Sequence, residues 1–113
     1  MRAFRVQYLF GNPTAQFEGD DEEAWVLNAF LSEARSSSTQ MIDAISDARA
    51  RQDQPVEFGG NEITLRAIGD SVTVLGEWIK DEHDEPCTIQ MSADEAELLL
   101  LRWKKILDEN STR

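Results

Sequence analysis

The sequence has little of what marks a secreted, membrane-spanning or nucleic-acid-binding protein. Its one cysteine, Cys87, excludes an intramolecular disulfide and favours a reducing compartment. Its apolar runs, such as Leu98–Leu101, are far shorter than the roughly 20 residues that a membrane-spanning helix needs. Residues 1–8 alternate polar and apolar side chains and lack the continuous apolar core of a signal peptide. We therefore expect a cytoplasmic protein.

Positive charge is also scarce. Eleven basic residues stand against 22 acidic ones, which gives a net charge of −11 and an isoelectric point near 4.4. A negative surface repels phosphate backbones and anionic membranes, so we expect neither nucleic acid nor membrane as a partner. It favours a basic protein partner, and the alternative is that an acidic surface merely keeps a small domain soluble.

What is present suffices for one folded domain over residues 1–113. The hydrophobic fraction is 41% and includes three tryptophans and five phenylalanines, which argues for a packed core. Alternating apolar residues predict a series of strands, because side chains of a half-buried strand point in turn to the core and to solvent. The predicted strands cover residues 3–10, 14–17, 56–58, 62–68, 72–79 and 87–91. Apolar residues on both sides of the strand at 72–79 predict that it is central in the sheet.

Helical periodicity predicts three helices. The first begins at a cap formed by Asp20 or Asp21 and ends near Arg35, since Ser36–Ser38 offer the backbone competing hydrogen bonds. The second covers residues 39–51, and the two together predict a helical hairpin. The C-terminal helix begins at Ser92, which forms a capping box with Glu95. Its apolar face comprises Ala96, Leu98, Leu99, Leu100, Leu101, Trp103, Ile106 and Leu107.

The order of these elements predicts the α+β fold class. We expect a single two-layer domain in which one antiparallel sheet of four to six strands carries the helical hairpin and the C-terminal helix on one face. Trp25, Trp78 and Trp103 all lie on apolar faces, which predicts core positions. Any one of them that is instead exposed would be suited to anchor a protein interface.

Two dense acidic runs are the candidate partner-binding residues. The first run supplies Asp20, Asp21, Glu22 and Glu23, and the second supplies Asp81, Glu82, Asp84 and Glu85. Carboxylates at a helix start are also explained by capping and by the helix dipole, and a charged loop is also explained by solvation alone. We favour the second run for binding, because a loop leaves its carboxylates free to reach a partner.

Catalytic, metal and cofactor sites are not predicted. Zinc needs three or four converging ligands, and an EF-hand loop needs a glycine that the segment around His83 lacks. Cys87 with His83 as its base would need a third group to orient the histidine, and none is recognisable. The alternation places Cys87 in phase with Ile89 and Met91, which predicts a buried core thiol. We therefore expect a protein that is not an enzyme.

A family resemblance supports a binding role. The segments Asn61–Arg66 and Cys87–Ile89, with the closing leucine-rich helix that contains Trp103, resemble immunity proteins of bacterial contact-dependent and other polymorphic toxin systems. The resemblance covers about the C-terminal half of the chain. It implies a cognate toxin, often a nuclease, whose basic cleft is blocked by acidic residues of the immunity protein. It assigns no specific residue.

Two alternatives remain open at this point. An acidic cytoplasmic protein-interaction domain would carry diffuse charge and have no tight basic partner. An enzyme would need two carboxylates that converge in a pocket and have shifted pKa values. The sequence does not reveal such convergence.

Overall fold

The computed structural model describes residues 4–19, 21–80 and 82–111, which form an α+β fold with two antiparallel sheets. The predicted fold class is confirmed. The elements in chain order are β1 (Phe4–Leu9), β2 (Asn12–Phe17), α1 (Glu22–Arg51), β3 (Val56–Gly59), β4 (Ile63–Ile68), β5 (Ser71–Lys80), β6 (Pro86–Ser92) and α2 (Ala93–Ser111).

A four-stranded sheet forms one side of the core. Its strands lie in the order β3-β4-β5-β6, so β5 is central as predicted. The side chains that point toward the helices are buried and apolar, because alternate residues of each strand face the same side. They include Ile63, Leu65 and Ala67 of β4 and Val72 and Val74 of β5.

β1 and β2 form a separate two-stranded sheet, so the larger sheet has four strands, at the lower limit of the four to six predicted. Phe4 lies opposite Phe17, and their ring centroids are 5.1 Å apart. Phe4 also meets the ring of Trp103 edge-on at 6.2 Å. These aromatic contacts hold the hairpin against α2. Asn28 accepts from the Phe17 amide and Arg35 donates to the Pro13 carbonyl, so the hairpin also packs on α1, without joining the larger sheet.

α1 is a single 30-residue helix with a kink, so the predicted helical hairpin is wrong. The kink lies within the predicted serine break, and Ser37 leaves helical geometry with φ −129° and ψ 15°. The chain does not reverse, because one apolar stripe continues along the same side through the kink. Buried residues recur along it every three or four positions: Leu27, Leu31, Ala34, Ser38, Met41, Ile45 and Ala48.

α2 begins at the predicted cap. The Ser92 hydroxyl accepts from the amide of Glu95 at 3.1 Å, which satisfies a donor of the first turn. Trp103 is buried as predicted, whereas Leu98 and Leu101 are 69% and 52% exposed, so the predicted apolar face was too wide. Neither helix in the described part of the chain is long and apolar enough to cross a membrane.

Candidate protein-binding surface

The described residues of both predicted acidic runs lie at the same end of the molecule. α1 and β5 run in opposite directions: the end of α1, at Gln52, approaches Gly69, just before β5 begins. Near its start, α1 brings Val26 against Gly76, and β5 then continues to Lys80. The turn between β5 and β6 therefore projects beyond the start of α1. We call this region, formed by residues 18, 19, 21–23 and 82–85, the acidic end.

The first acidic run starts α1. Asp21 is the N-cap residue, and its carboxylate accepts from the amide of Ala24 at 3.1 Å. Glu22 and Glu23 occupy the first turn, where negative charge is favoured by the helix dipole, and both are exposed. Asp20, a predicted site residue, lies outside the described residues. Helix capping thus accounts for Asp21, and Glu22 and Glu23 present charge at the surface.

The second acidic run forms the turn between β5 and β6. Glu82, Asp84 and Glu85 are all exposed, whereas the predicted site residue Asp81 lies outside the described residues. Glu82 is 3.5 Å from Nε2 of His83, a pair that is ionic only when the histidine is protonated. Asp84 has φ 61°, a left-handed conformation that aspartate and asparagine tolerate better than most side chains.

Carboxylates at the opposite end of α1 are used within the fold. The guanidinium of Arg49 forms ion pairs with Asp94 at 2.5 Å and with Asp70 and Glu97 at 3.5 Å each. Its hydrogen bond to Asp94 is the main reason that the pKa of Arg49 is raised, and the three negative charges add to this effect. These carboxylates join α1 to α2 and to the β4–β5 turn, so they are not candidates for partner binding.

A bulge at the end of β5 turns Trp78 toward solvent. Four residues of β5, 76–79, lie opposite a single residue of β6, Cys87. The extra residues shift the alternation, so Ile79 lies on the same side as Gly76 and packs against the core. Trp78 is consequently 79% exposed, and its predicted core position is wrong.

Exposed indole rings are close in the chain to both parts of the acidic end. The Nε1 of Trp78 donates to the carbonyl of Asn61 at 3.2 Å, which places the ring over the β3–β4 connection. Trp25 follows the first acidic run on α1 and is 45% exposed, so its predicted core position is also wrong. The sequence signal for the bulge that exposes Trp78 was Gly76, since an isolated glycine within a strand often marks a bulge.

Cys87 and His83, the residues weighed for catalysis or metal binding, lie on β6 and on the turn before it. Cys87 packs against the core but is only half-buried, whereas a buried thiol was predicted. His83 is 76% exposed on the turn. Among the residues that the structure describes, no three or more His, Cys, Asp and Glu side chains are grouped so that they could hold a metal ion.

A second exposed aromatic site lies at the turn between β1 and β2. Phe10 is fully exposed and has φ 54°, and the following Gly11 has φ 82°. Positive φ at both central residues is typical of a tight hairpin turn. Tyr8, on the same strand side, is 54% exposed. The neighbouring Pro13 carbonyl accepts from Arg35 in the middle of α1, so this tip is remote from the acidic end.

The arrangement at the acidic end suits protein recognition, since it combines exposed carboxylates with exposed indole rings on a rigid helix start and a strand turn. Comparisons of the chain with protein-family models, with curated proteins and with solved structures give no match.

Proposed function

We propose that this protein is an immunity-type inhibitor that binds and neutralises a basic protein toxin through its acidic end. The observation that carries the proposal is the position of two separate, exposed acidic runs at one end of the fold, with the exposed Trp78 on the strand that leads into the second run. A nuclease is the favoured kind of toxin, because a cleft that binds phosphates is lined with lysine and arginine.

Charge and aromatic surface have different tasks in this proposal. The carboxylates of Glu82, Asp84 and Glu85 attract a basic cleft over long distances, which raises association rates toward 10⁸ per molar per second or more at low salt. The Trp78 ring supplies apolar area that becomes desolvated on contact, as tryptophan does at many interface centres. Occupying the cleft is sufficient for inhibition, so the inhibitor needs no catalytic group of its own.

The test is capture of the partner from the native host, followed by association kinetics with charge-reversed variants. Glu82→Lys combined with Glu85→Lys is preferable to a change at Asp84, because lysine would be strained in the left-handed conformation there. At low salt, we expect the association rate of the double variant to be lower by about tenfold or more. That rate should also lose most of its dependence on salt.

Asp43→Lys combined with Asp47→Lys is the matched control. Both aspartates are exposed on the later half of α1, and the double change alters the net charge by the same amount. A local interface predicts a much smaller effect for the control than for the acidic end. Equal slowing by both double variants would indicate diffuse attraction only, and recovery of no basic partner would contradict the immunity function.

The alternative functions predict different results. An acidic interaction domain without a tight basic partner predicts that capture yields weak or salt-labile mixtures whose composition is unchanged by the double variant. Loss of binding on changing Phe10 rather than the acidic end would move the interface to the β1–β2 tip. An enzyme would require two carboxylates in one pocket with shifted pKa values, which titration by NMR would detect.

A further inference from the structure

The outer edge of β6 is an open strand edge. β6 is the last strand in the order β3-β4-β5-β6, and among the described residues no other strand pairs with its outer side. A strand edge displays unpaired main-chain donors and acceptors, which makes it a template for an additional strand.

The alternation of hydrogen-bonded pairs between β5 and β6 shows which main-chain groups of β6 point toward the open edge. The amide of Ala93 donates to the carbonyl of Asp70 at 2.8 Å, so this opposed pair is hydrogen-bonded. Opposed pairs in an antiparallel ladder alternate between hydrogen-bonded and non-hydrogen-bonded, so Met91 and Ile89 also bond to β5. The main-chain groups of Thr88 and Gln90 therefore point away from β5, toward the open edge.

A groove runs beside this edge. It has a volume of about 420 Å³, and its walls are the β6 residues 88–91 with Glu23 and Leu27 of α1 and Glu95 of α2. Leu27 is almost fully buried and forms an apolar floor, whereas Glu23 and Glu95 are exposed at the rim. The groove thus places two carboxylates and one apolar side chain next to unpaired main-chain groups.

The two edges of the sheet differ in how well they are protected against strand addition. β3 has only four residues, follows Pro55, and carries Glu57, which pairs with Arg66 at 3.8 Å. Short length, proline and charge are common means of blocking an edge. β6 has seven residues, and its segment 87–92 contains no charged side chain. β6 begins at Pro86, which protects only that end of the strand, and the segment 87–92 has no comparable protection.

We propose that the β6 edge binds an extended, basic segment of a partner protein as a fifth strand of the sheet. Main-chain hydrogen bonds would form with Thr88 and Gln90. Alternate side chains of the segment would enter the groove, where the aliphatic part of a lysine or arginine contacts Leu27 and its charged group reaches Glu23 or Glu95. The favoured segment therefore has basic residues at every second position.

Charge complementarity favours a basic segment, rather than a second copy of the chain, as the strand that pairs with the β6 edge. Pairing of two β6 edges would bring the carboxylates of Glu23 and Glu95 from both copies together, in a protein whose net charge is −11. A basic segment gains attraction from the same carboxylates. The inference rests on the proposed function for the class of partner, but the groove can be tested without that partner.

The test uses the full chain, isotopically labelled for NMR, and an acetylated and amidated seven-residue peptide in which lysine alternates with valine. A counterpart methylated at every amide nitrogen has the same charges but no main-chain donors. We expect the first peptide to slow hydrogen exchange at the amides of Thr88 and Gln90. We expect the methylated peptide to bind about tenfold or more weakly, because several main-chain hydrogen bonds are lost.

Two variants and one control locate the binding site. Gln90→Pro removes an outward-facing donor without removing a bond to β5, and it should weaken binding by up to about tenfold. Glu95→Gln keeps a side chain compatible with the capping box and should weaken binding by up to about fivefold. Glu57→Gln removes a carboxylate at the opposite edge and should leave binding unchanged.

The outcomes separate this inference from the proposed function. Equal binding of both peptides, or equal weakening by Glu57→Gln and Glu95→Gln, would overturn the edge site and indicate attraction by net charge alone. Protection of Thr88 and Gln90 that rises with protein concentration in the absence of peptide would assign the edge to a second copy. Specific peptide binding without recovery of any basic partner would support the edge site and contradict the immunity function alone.

Discussion

Two regions of the molecule each contain a tryptophan, but the two rings have opposite surroundings. One region is the contact between α1 and α2, and the other is the bulged end of β5. Trp103 is 1% exposed, donates from Nε1 to the carbonyl of Leu31 at 2.8 Å and meets the edge of Phe4. Trp78 also donates to a backbone carbonyl, that of Asn61, yet its side chain is 79% exposed. A satisfied indole N–H is therefore common to both rings, and burial distinguishes them.

The difference separates stability from recognition. A tryptophan that is fully buried removes about 150 to 250 Å² from water, which corresponds to roughly 4 to 6 kcal/mol at about 25 cal/mol per Å². An exposed ring contributes little of this on folding, and the same area becomes available when a partner covers it. Trp103 stabilises the fold, and the exposed ring of Trp78 is available to the partner that we propose.

Trp103→Ala tests the buried half of the comparison and should have the largest effect. We expect a loss of about 3 to 5 kcal/mol in the free energy of unfolding, because the apolar contact is lost and a cavity remains beneath α2. Chemical denaturation followed by circular dichroism measures the change. Trp103→Phe retains part of the ring and should cost less. A loss below about 1 kcal/mol for Trp103→Ala would mean that the ring is not in the core.

Ser92→Ala should have an intermediate effect and separates the cap of α2 from the packing of Trp103. The hydroxyl of Ser92 accepts from the Glu95 amide, so its removal should cost about 1 kcal/mol. Ser92→Asp should restore most of the stability, since a carboxylate also accepts from first-turn amides. Equal unfolding free energies for all three proteins would contradict the assignment of Ser92 as the cap.

The sequence was sufficient where local rules determine the structure. Period-two alternation located the strands, and the serine–glutamate spacing at Ser92 and Glu95 located the start of α2. The break in α1 was also located correctly, at Ser37, but its consequence was not. The hydrophobic spacing from Leu27 to Ala48 continues through the serines without a change of side, and this pattern distinguishes a kink from a hairpin.

Other features depend on contacts between distant segments, so local patterns could not supply them. Alternation shows that β1 and β2 are strands, but it does not say which strands they join. The contacts of the hairpin with Trp103 of α2 and with Asn28 and Arg35 of α1 place it on the two helices. The acidic runs were visible in the sequence, but their position at one end depends on the antiparallel course of α1 and β5. The open edge of β6 likewise follows from strand order.

Trp78→Ala tests the exposed half of the comparison and should have the smallest effect on stability. The bulge already leaves most of the ring in water, so the lost contacts are few, and we expect the free energy of unfolding to change by no more than about 0.5 kcal/mol.

Binding of the partner should respond differently to Trp78→Ala. If the proposed basic partner covers the ring, its removal should cost more than about 1 kcal/mol of binding energy, which is about a fivefold loss of affinity. Chemical denaturation and partner-binding kinetics on the same preparation measure both quantities, and Trp25→Ala offers a second, less exposed ring for comparison. A large loss of stability for Trp78→Ala would remove the distinction between the two regions. Unchanged affinity together with unchanged stability would place the partner elsewhere on the surface.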